Sequence, residues 1–166
     1  MRGGEGLAAA ASCSVTTDGI IINPVSCDTA VNGRKLKITS DYPHGKTVKI
    51  CFEGGGRLYL FVPSWTVGVK CEYLSGCDEH YVYIDAPDGK EFELTVTNRI
   101  WNDEERIYDG PLMLASYEDI RPNDSLDVTS SDGKYTVKDK ELKTLDKTYL
   151  LSMAELSKEK LRVKLI

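Results

Sequence analysis

The sequence contains no glutamine, only two histidines, and no apolar run approaching the ~20 residues that a bilayer-spanning helix requires. No membrane span is therefore expected. Positive charge is not in excess: 21 Lys and Arg stand against 26 Asp and Glu, for a net charge of -5. That balance argues against a nucleic-acid partner, whose binders carry a basic stripe that neutralises phosphates. Catalytic signatures are also missing. No G-x-S-x-G elbow occurs, and Gly54-Gly55-Gly56 lacks the Lys-Ser/Thr that completes a phosphate-cradling loop. Only His44 and His80 offer an imidazole, and beyond a conceivable Cys77–His80 pair no nucleophile–base pattern is recognisable, so the chain is not expected to be an enzyme. The want of glutamine suits a chain selected for heat, because side-chain amides are thermolabile. Five asparagines and five cysteines pull the other way.

What is present is the composition of a globular domain, 41% apolar and 28% charged over 166 residues. A chain of this length buries about 70% of the surface its unfolded form exposes, enough for a true core. Apolar residues alternate at period two from about residue 34 to residue 100, the signature of half-buried strands. Arg34–Ser40 and Lys46–Glu53 read as a hairpin around the turn cluster Asp41-Tyr42-Pro43-His44-Gly45. Arg57–Val62 carries Leu58, Leu60 and Val62 on one face, with Tyr59 and Phe61 on the other, and reads as a central strand covered on both sides. Trp65–Tyr73, Tyr81–Ile84 and Lys90–Ile100 follow, the last two separated by the turn Ala86-Pro87-Asp88-Gly89. Further short strands are expected within Pro111–Tyr117 and Asp124–Thr129, and at Tyr135 and Val137 after the turn Asp132-Gly133. The end of the chain reads as a strand at Tyr149–Met153, one helical turn over Glu155–Lys158, and a terminal strand Leu161–Ile166.

Strand and turn recurring near every ten residues predict an all-β fold. The specific expectation is a single β-sandwich of about eight to ten strands, immunoglobulin-like or jelly-roll in layout. It would occupy residues 13–166 as one domain, after a flexible Gly/Ala-rich segment at residues 1–12. Leu7–Ala11 supplies five apolar residues before a small-residue site, fewer than a secretory leader needs, so the segment reads as a solvated start or the tail of a longer leader.

All five cysteines, Cys13, Cys27, Cys51, Cys71 and Cys77, lie in the first half of the chain. Cys71 and Cys77 flank a short loop, and Cys13 and Cys27 flank a hairpin around Asp18-Gly19, so both pairs are candidate disulfides in a secreted or cell-surface protein. Reduced, partly buried thiols are the competing reading. The spacing C-x5-C-x2-H formed by Cys71, Cys77 and His80, with Cys51 or Asp78 as a fourth ligand, lacks the paired short knuckles of structural zinc, so no metal site is expected there. Calcium is the one cofactor that the loop oxygen donors Asp85, Asp88, Asn123, Asp124, Asp127 and Asp132 suit, although no EF-hand pattern organises them. Asn123-Asp124-Ser125 is a candidate glycosylation triplet.

Two functional classes remain. One is a non-catalytic extracellular structural or adhesive subunit of a filament, pilus or surface layer, which associates with itself or another surface protein. Strand exchange through the chain ends, at Leu7, Ala8 and Ala9 and at Leu161, Val163 and Leu165, would drive the assembly. The alternative is a carbohydrate- or ligand-binding module. For it Tyr59, Phe61, Trp65, Tyr73, Tyr81, Tyr83 and Trp101 supply rings with apolar area and polar handles.

Overall fold

In the computed structural model the described residues are 13–103, 106–116, 127–131, 134–138 and 140–144. They form an all-β fold of sixteen strands in three sheets. The chain divides into two compact units with the boundary between Asn98 and Arg99.

The first unit holds ten strands: β1 (Cys13–Val15), β2 (Ile20–Ile22), β3 (Cys27–Val31), β4 (Arg34–Ser40), β5 (Thr47–Phe52), β6 (Gly56–Phe61), β7 (Thr66–Cys71), β8 (Leu74–Cys77), β9 (Tyr81–Ala86) and β10 (Phe92–Asn98). One sheet has the order β1-β2-β6-β9-β8 and the other β3-β4-β5-β10-β7. All pairings within them are antiparallel except β2 with β6, where Ile20, Ile21 and Ile22 stand beside Leu58, Tyr59 and Leu60. The expected hairpin of β4 and β5 is present, with Leu36 opposite Phe52 and Ile38 opposite Ile50. Its turn is tied by Asp41, whose Oδ1 accepts the Thr47 amide at 3.0 Å.

Both sheets feed one core, which makes the unit sandwich-like. Ile20, Ile22, Leu58, Leu60, Ile84 and Ala86 come from the first sheet, and Leu36, Ile38, Val48, Ile50, Phe52, Phe92, Leu94 and Val96 from the second. Each is an alternate residue of its strand, so the period-two pattern is the cause of the burial. Burying an aliphatic side chain of this size contributes roughly 1.5–3 kcal/mol, and Leu58, Leu60 and Ile84 are wholly buried. The chain returns from β5 to the first sheet through Gly54-Gly55-Gly56, all at positive φ (80°, 57° and 122°), a conformation open chiefly to glycine. At Gly55 a Cβ would also lie 2.7 Å from the Ala86 carbonyl oxygen, which closes the corner to any side chain.

The second unit contains β11 (Ile100–Asn102), β12 (Ile107–Asp109), β13 (Leu112–Ala115), β14 (Thr129–Ser131), β15 (Lys134–Val137) and β16 (Lys140–Thr144), in the order β11-β12-β13-β16-β15-β14. Its core gathers Ile107, Leu114, Tyr135, Val137 and Leu142. The hairpin expected before Tyr135 is present as β14 and β15, with Ser131 opposite Lys134.

These sheets correct the expectation of a single sandwich of eight to ten strands. Alternation marks which residues share a strand face, but it does not say to which sheet a strand belongs. Strands of three residues such as β1, β11 and β12 are also too short to show a period. Among the described residues no helix is long and apolar enough to cross a membrane. Asn123, the terminal residues Leu7, Ala8, Ala9, Leu161, Val163 and Leu165, and the elements expected from Tyr149 onward lie outside the described residues.

Candidate functional site

The outward face of the first sheet is where polar and aromatic chemistry collects. Strands β6 and β9 are antiparallel neighbours, with Arg57 opposite Asp85, Tyr59 opposite Tyr83, and Phe61 opposite Tyr81. Because Leu58, Leu60, Ile84 and Ala86 point into the core, these six side chains point away from it. The result is three successive cross-strand rows on one face.

In the first row the Arg57 Nε donates to Asp85 Oδ1 at 2.6 Å, and the guanidinium carbon lies 5.9 Å from the centre of the Tyr83 ring. In the second, the Tyr59 and Tyr83 rings meet edge to face with centroids 5.3 Å apart. In the third, Phe61 and Tyr81 are 5.9 Å apart, and Tyr59 reaches Tyr81 diagonally at 6.4 Å. Phe61 is 38% exposed, whereas the three tyrosines are half-buried. The rings thus form a continuous apolar surface bounded at one end by a charge pair.

A loop acid fixes the centre of this surface. The Tyr83 hydroxyl donates to Asp78 Oδ2 at 2.5 Å. Asp78 Oδ1 accepts the backbone amides of His80 and Tyr81, both at 2.8 Å. The Tyr83 hydroxyl, followed by those two amides, holds the Asp78 carboxyl below its ordinary value, and Asp78 in turn pushes the Tyr83 hydroxyl upward. The hydrogen bond from Arg57 likewise lowers Asp85, and the same contact raises Arg57. Both carboxylates are therefore ionised near neutrality.

Glycines make room for the rings. Gly76 of β8 faces Tyr83, where a Cβ would come within 3.2 Å of the ring. At Gly19 a Cβ would lie 2.5 Å from the Arg57 carbonyl oxygen and 2.8 Å from Tyr59 Cε2.

Of the seven aromatic residues expected from the sequence, the sheet gathers four: Tyr59, Phe61, Tyr81 and Tyr83. Trp65 instead donates to the Tyr42 hydroxyl at 3.4 Å. Tyr73 packs on Phe92 with centroids 5.2 Å apart and accepts from Lys90 Nζ at 2.7 Å. Trp101 stacks on Tyr108 in the second unit, 4.3 Å between centroids, with its Nε1 donating to the Gly110 carbonyl at 2.7 Å. Sequence reading missed Arg57, and it placed Asp78 and Asp85 only as metal candidates. The available signal was the shared alternation of β6 and β9, which becomes informative only with their register.

The other sequence candidates lie on other strands and turns. No disulfide joins Cys13, Cys27, Cys51, Cys71 or Cys77 in the structure. Cys71 ends β7 of the second sheet opposite Leu94, whereas Cys77 ends β8 of the first sheet opposite Val82. Cys13 stands opposite Ile22 and Cys27 opposite Ile38, again in different sheets. Among the described residues no group of three or more His, Cys, Asp and Glu is placed to hold a metal. Asp88 is engaged by the Gly54 amide at 2.6 Å, and His44 and His80 are exposed in turns. Asn123, Asp124 and Asp132 lie outside the described residues.

No family model matches the sequence, and no curated protein matches it significantly. Solved structures do share the fold. A protein described as a glycoside hydrolase aligns with 78% of this chain and 28% of its own, with a TM-score of 0.51 and 14% identity. The likeness is one of fold. A second structure, the GH127 β-L-arabinofuranosidase Ara127N-Se from Geobacillus stearothermophilus T6, aligns over 62% of this chain and 21% of its own, with a TM-score of 0.47 and 18% identity. This chain thus spans under a third of the length of either. The finding corrects the expectation of a self-associating filament, pilus or surface-layer subunit: the fold is shared with a portion of a chain described as a glycoside hydrolase. The filament expectation rested on strand exchange through the chain ends, which lie outside the described residues, and on edge strands, which every open sheet has and which therefore do not discriminate.

Proposed function

We propose that this chain is a non-catalytic, carbohydrate-engaging β-sandwich unit of a larger carbohydrate-processing protein. The observation that carries the reading is the outward face of β6 and β9, where four aromatic rings adjoin the Arg57–Asp85 pair. Sugar rings present apolar C–H faces and a rim of hydroxyls. An aromatic surface takes the former, and charged hydrogen-bonding groups at its border take the latter. The fold shared with a portion of a glycoside hydrolase supports the same chemistry. An exported location accords with it, since many polysaccharides are extracellular polymers.

Neither carboxylate bordering this face is suited to serve as a general acid. Glycoside hydrolysis needs one carboxyl group held protonated as general acid, and both Asp78 and Asp85 are lowered instead. Titration of the chain with soluble neutral oligosaccharides, followed by NMR and calorimetry, tests the reading. Saturable shifts confined to β6 and β9, lost in Tyr59→Ala and Tyr81→Ala variants that keep their fold, are expected. Absence of any saccharide binding, or hydrolysis of the oligosaccharides by the chain, would overturn it.

A further inference from the structure

The three rows differ in kind, and their order implies a preference among sugars. Alternate residues on a strand are about 6.6 Å apart, so Arg57 to Phe61 spans about 13 Å along β6. That length exceeds one sugar ring, and its middle and far rows are both aromatic. A monosaccharide covers one row, whereas a linear oligosaccharide lying along the strands covers two or three.

Charge is arranged just as specifically. Arg57 is the cation of these rows, and its Nε is taken by Asp85 at 2.6 Å. An acidic sugar would meet the Asp85 carboxylate beside that guanidinium, with the Asp78 carboxylate bonded to Tyr83 nearby. A sugar hydroxyl, by contrast, donates to a carboxylate and accepts from a guanidinium. Arg57 has five N–H donors and Asp85 about four acceptor positions, so their mutual contact leaves capacity for hydroxyls. Resting on the carbohydrate-engaging reading above, we infer that this face selects neutral linear oligosaccharides over acidic ones, and that Asp85 sets the selectivity by holding the Arg57 guanidinium.

The test is calorimetric titration of the full chain with xylose, xylotriose, cellotriose and trigalacturonic acid. A neutral trisaccharide should bind at least about tenfold more tightly than xylose and than trigalacturonic acid. Asp85→Asn, which keeps the size of the side chain and removes its charge, should shift the neutral-to-acidic affinity ratio about tenfold towards the acid. Arg57→Gln should weaken neutral binding without that gain, which separates selectivity from damage to the fold. Melting curves of both variants, read alongside, identify any loss of folding. If the unaltered chain binds trigalacturonic acid as tightly as the neutral trisaccharides, the selectivity inference fails while the platform reading stands. An unchanged ratio in Asp85→Asn also overturns it. If none of the four probes binds, the platform reading itself falls and this inference with it.

Discussion

Tyr59 and Tyr83 stand directly opposite each other on β6 and β9, their ring centroids 5.3 Å apart and their planes at 82°. Edge-to-face pairs of this kind contribute about 0.5–1.5 kcal/mol beyond the area they bury. Their meeting is a consequence of the core beneath. Leu58 with Ile84 and Leu60 with Val82 set the register, and a slip of one residue would send the tyrosines inward and the leucines outward. The apolar interior therefore positions the candidate binding surface.

Gly19, a residue without a side chain, lies close against Tyr59 and the β6 backbone. Gly19→Val is expected to force β2 away from β6, because a Cβ there meets the Arg57 carbonyl oxygen, which is backbone and cannot swing aside. Forced packing of this kind costs about 1–3 kcal/mol. A lowered denaturation midpoint, together with weakened oligosaccharide binding, is the expected result. Unchanged stability would mean that the two strands have slack that their pairing does not suggest.

Acid should loosen the rim of the platform. Asp78 and Asp85 are lowered in the fold, so the stability they add is complete above their unfolded value near pH 4 and is lost as pH falls through the lower folded values. Melting temperature is expected to hold from neutrality down to about pH 4 and to fall below it. Asp78→Asn and Asp85→Asn should each flatten that fall, which thermal melts across an acid series would read. Both groups are exposed, so the effect is small and diminishes in salt.

The second unit should respond to alkali instead. Tyr135 is buried, and its hydroxyl donates to Asp109 Oδ2 at 2.7 Å. Burial first, and then Asp109, raise the hydroxyl well above its ordinary value. A phenol raised in the fold adds stability below its unfolded value near pH 10, and that stability is lost as pH climbs towards the folded value. Tyr135→Phe is expected to lower stability at neutral pH by about 0.5–2 kcal/mol while removing the alkaline loss. Near-ultraviolet titration of tyrosine ionisation provides the readout.

Thiol chemistry supplies a further check on placement. Cys77 is exposed, whereas Cys71 is half-buried and its thiol is pushed up chiefly by burial. Alkylation without reductant should label Cys77 first and Cys71 slowly, as followed by mass spectrometry. Protection of both until reductant is added would establish the Cys71–Cys77 bridge expected from sequence.

Much of the architecture is written locally. Alternation in Arg34–Ser40 and Arg57–Val62 marks strands β4 and β6 and their inward residues Leu36, Ile38, Leu58 and Leu60, all of them buried. The turn at Asp41 and the glycine run at Gly54 stop strands where the backbone conformation demands it. These features are local, and local chemistry decides them.

Pairing is not local. Ile21 lies beside Tyr59 in a parallel register, and β10 inserts between β5 and β7, joining residues far apart in sequence. Period two states which residues share a face, but not which face meets another sheet. Tyr59 and Phe61 thus read as the second covered side of a central strand, whereas the structure leaves Tyr59 half-buried and Phe61 exposed. Sequence alone determined strands such as β4, β5, β6 and β10 and which of their residues share a face, since these follow from the geometry of each residue and its neighbours. Only tertiary structure decided that Arg57, Asp78 and Asp85 would border four aromatic rings, because that depends on long-range register, set by burial of the opposite face.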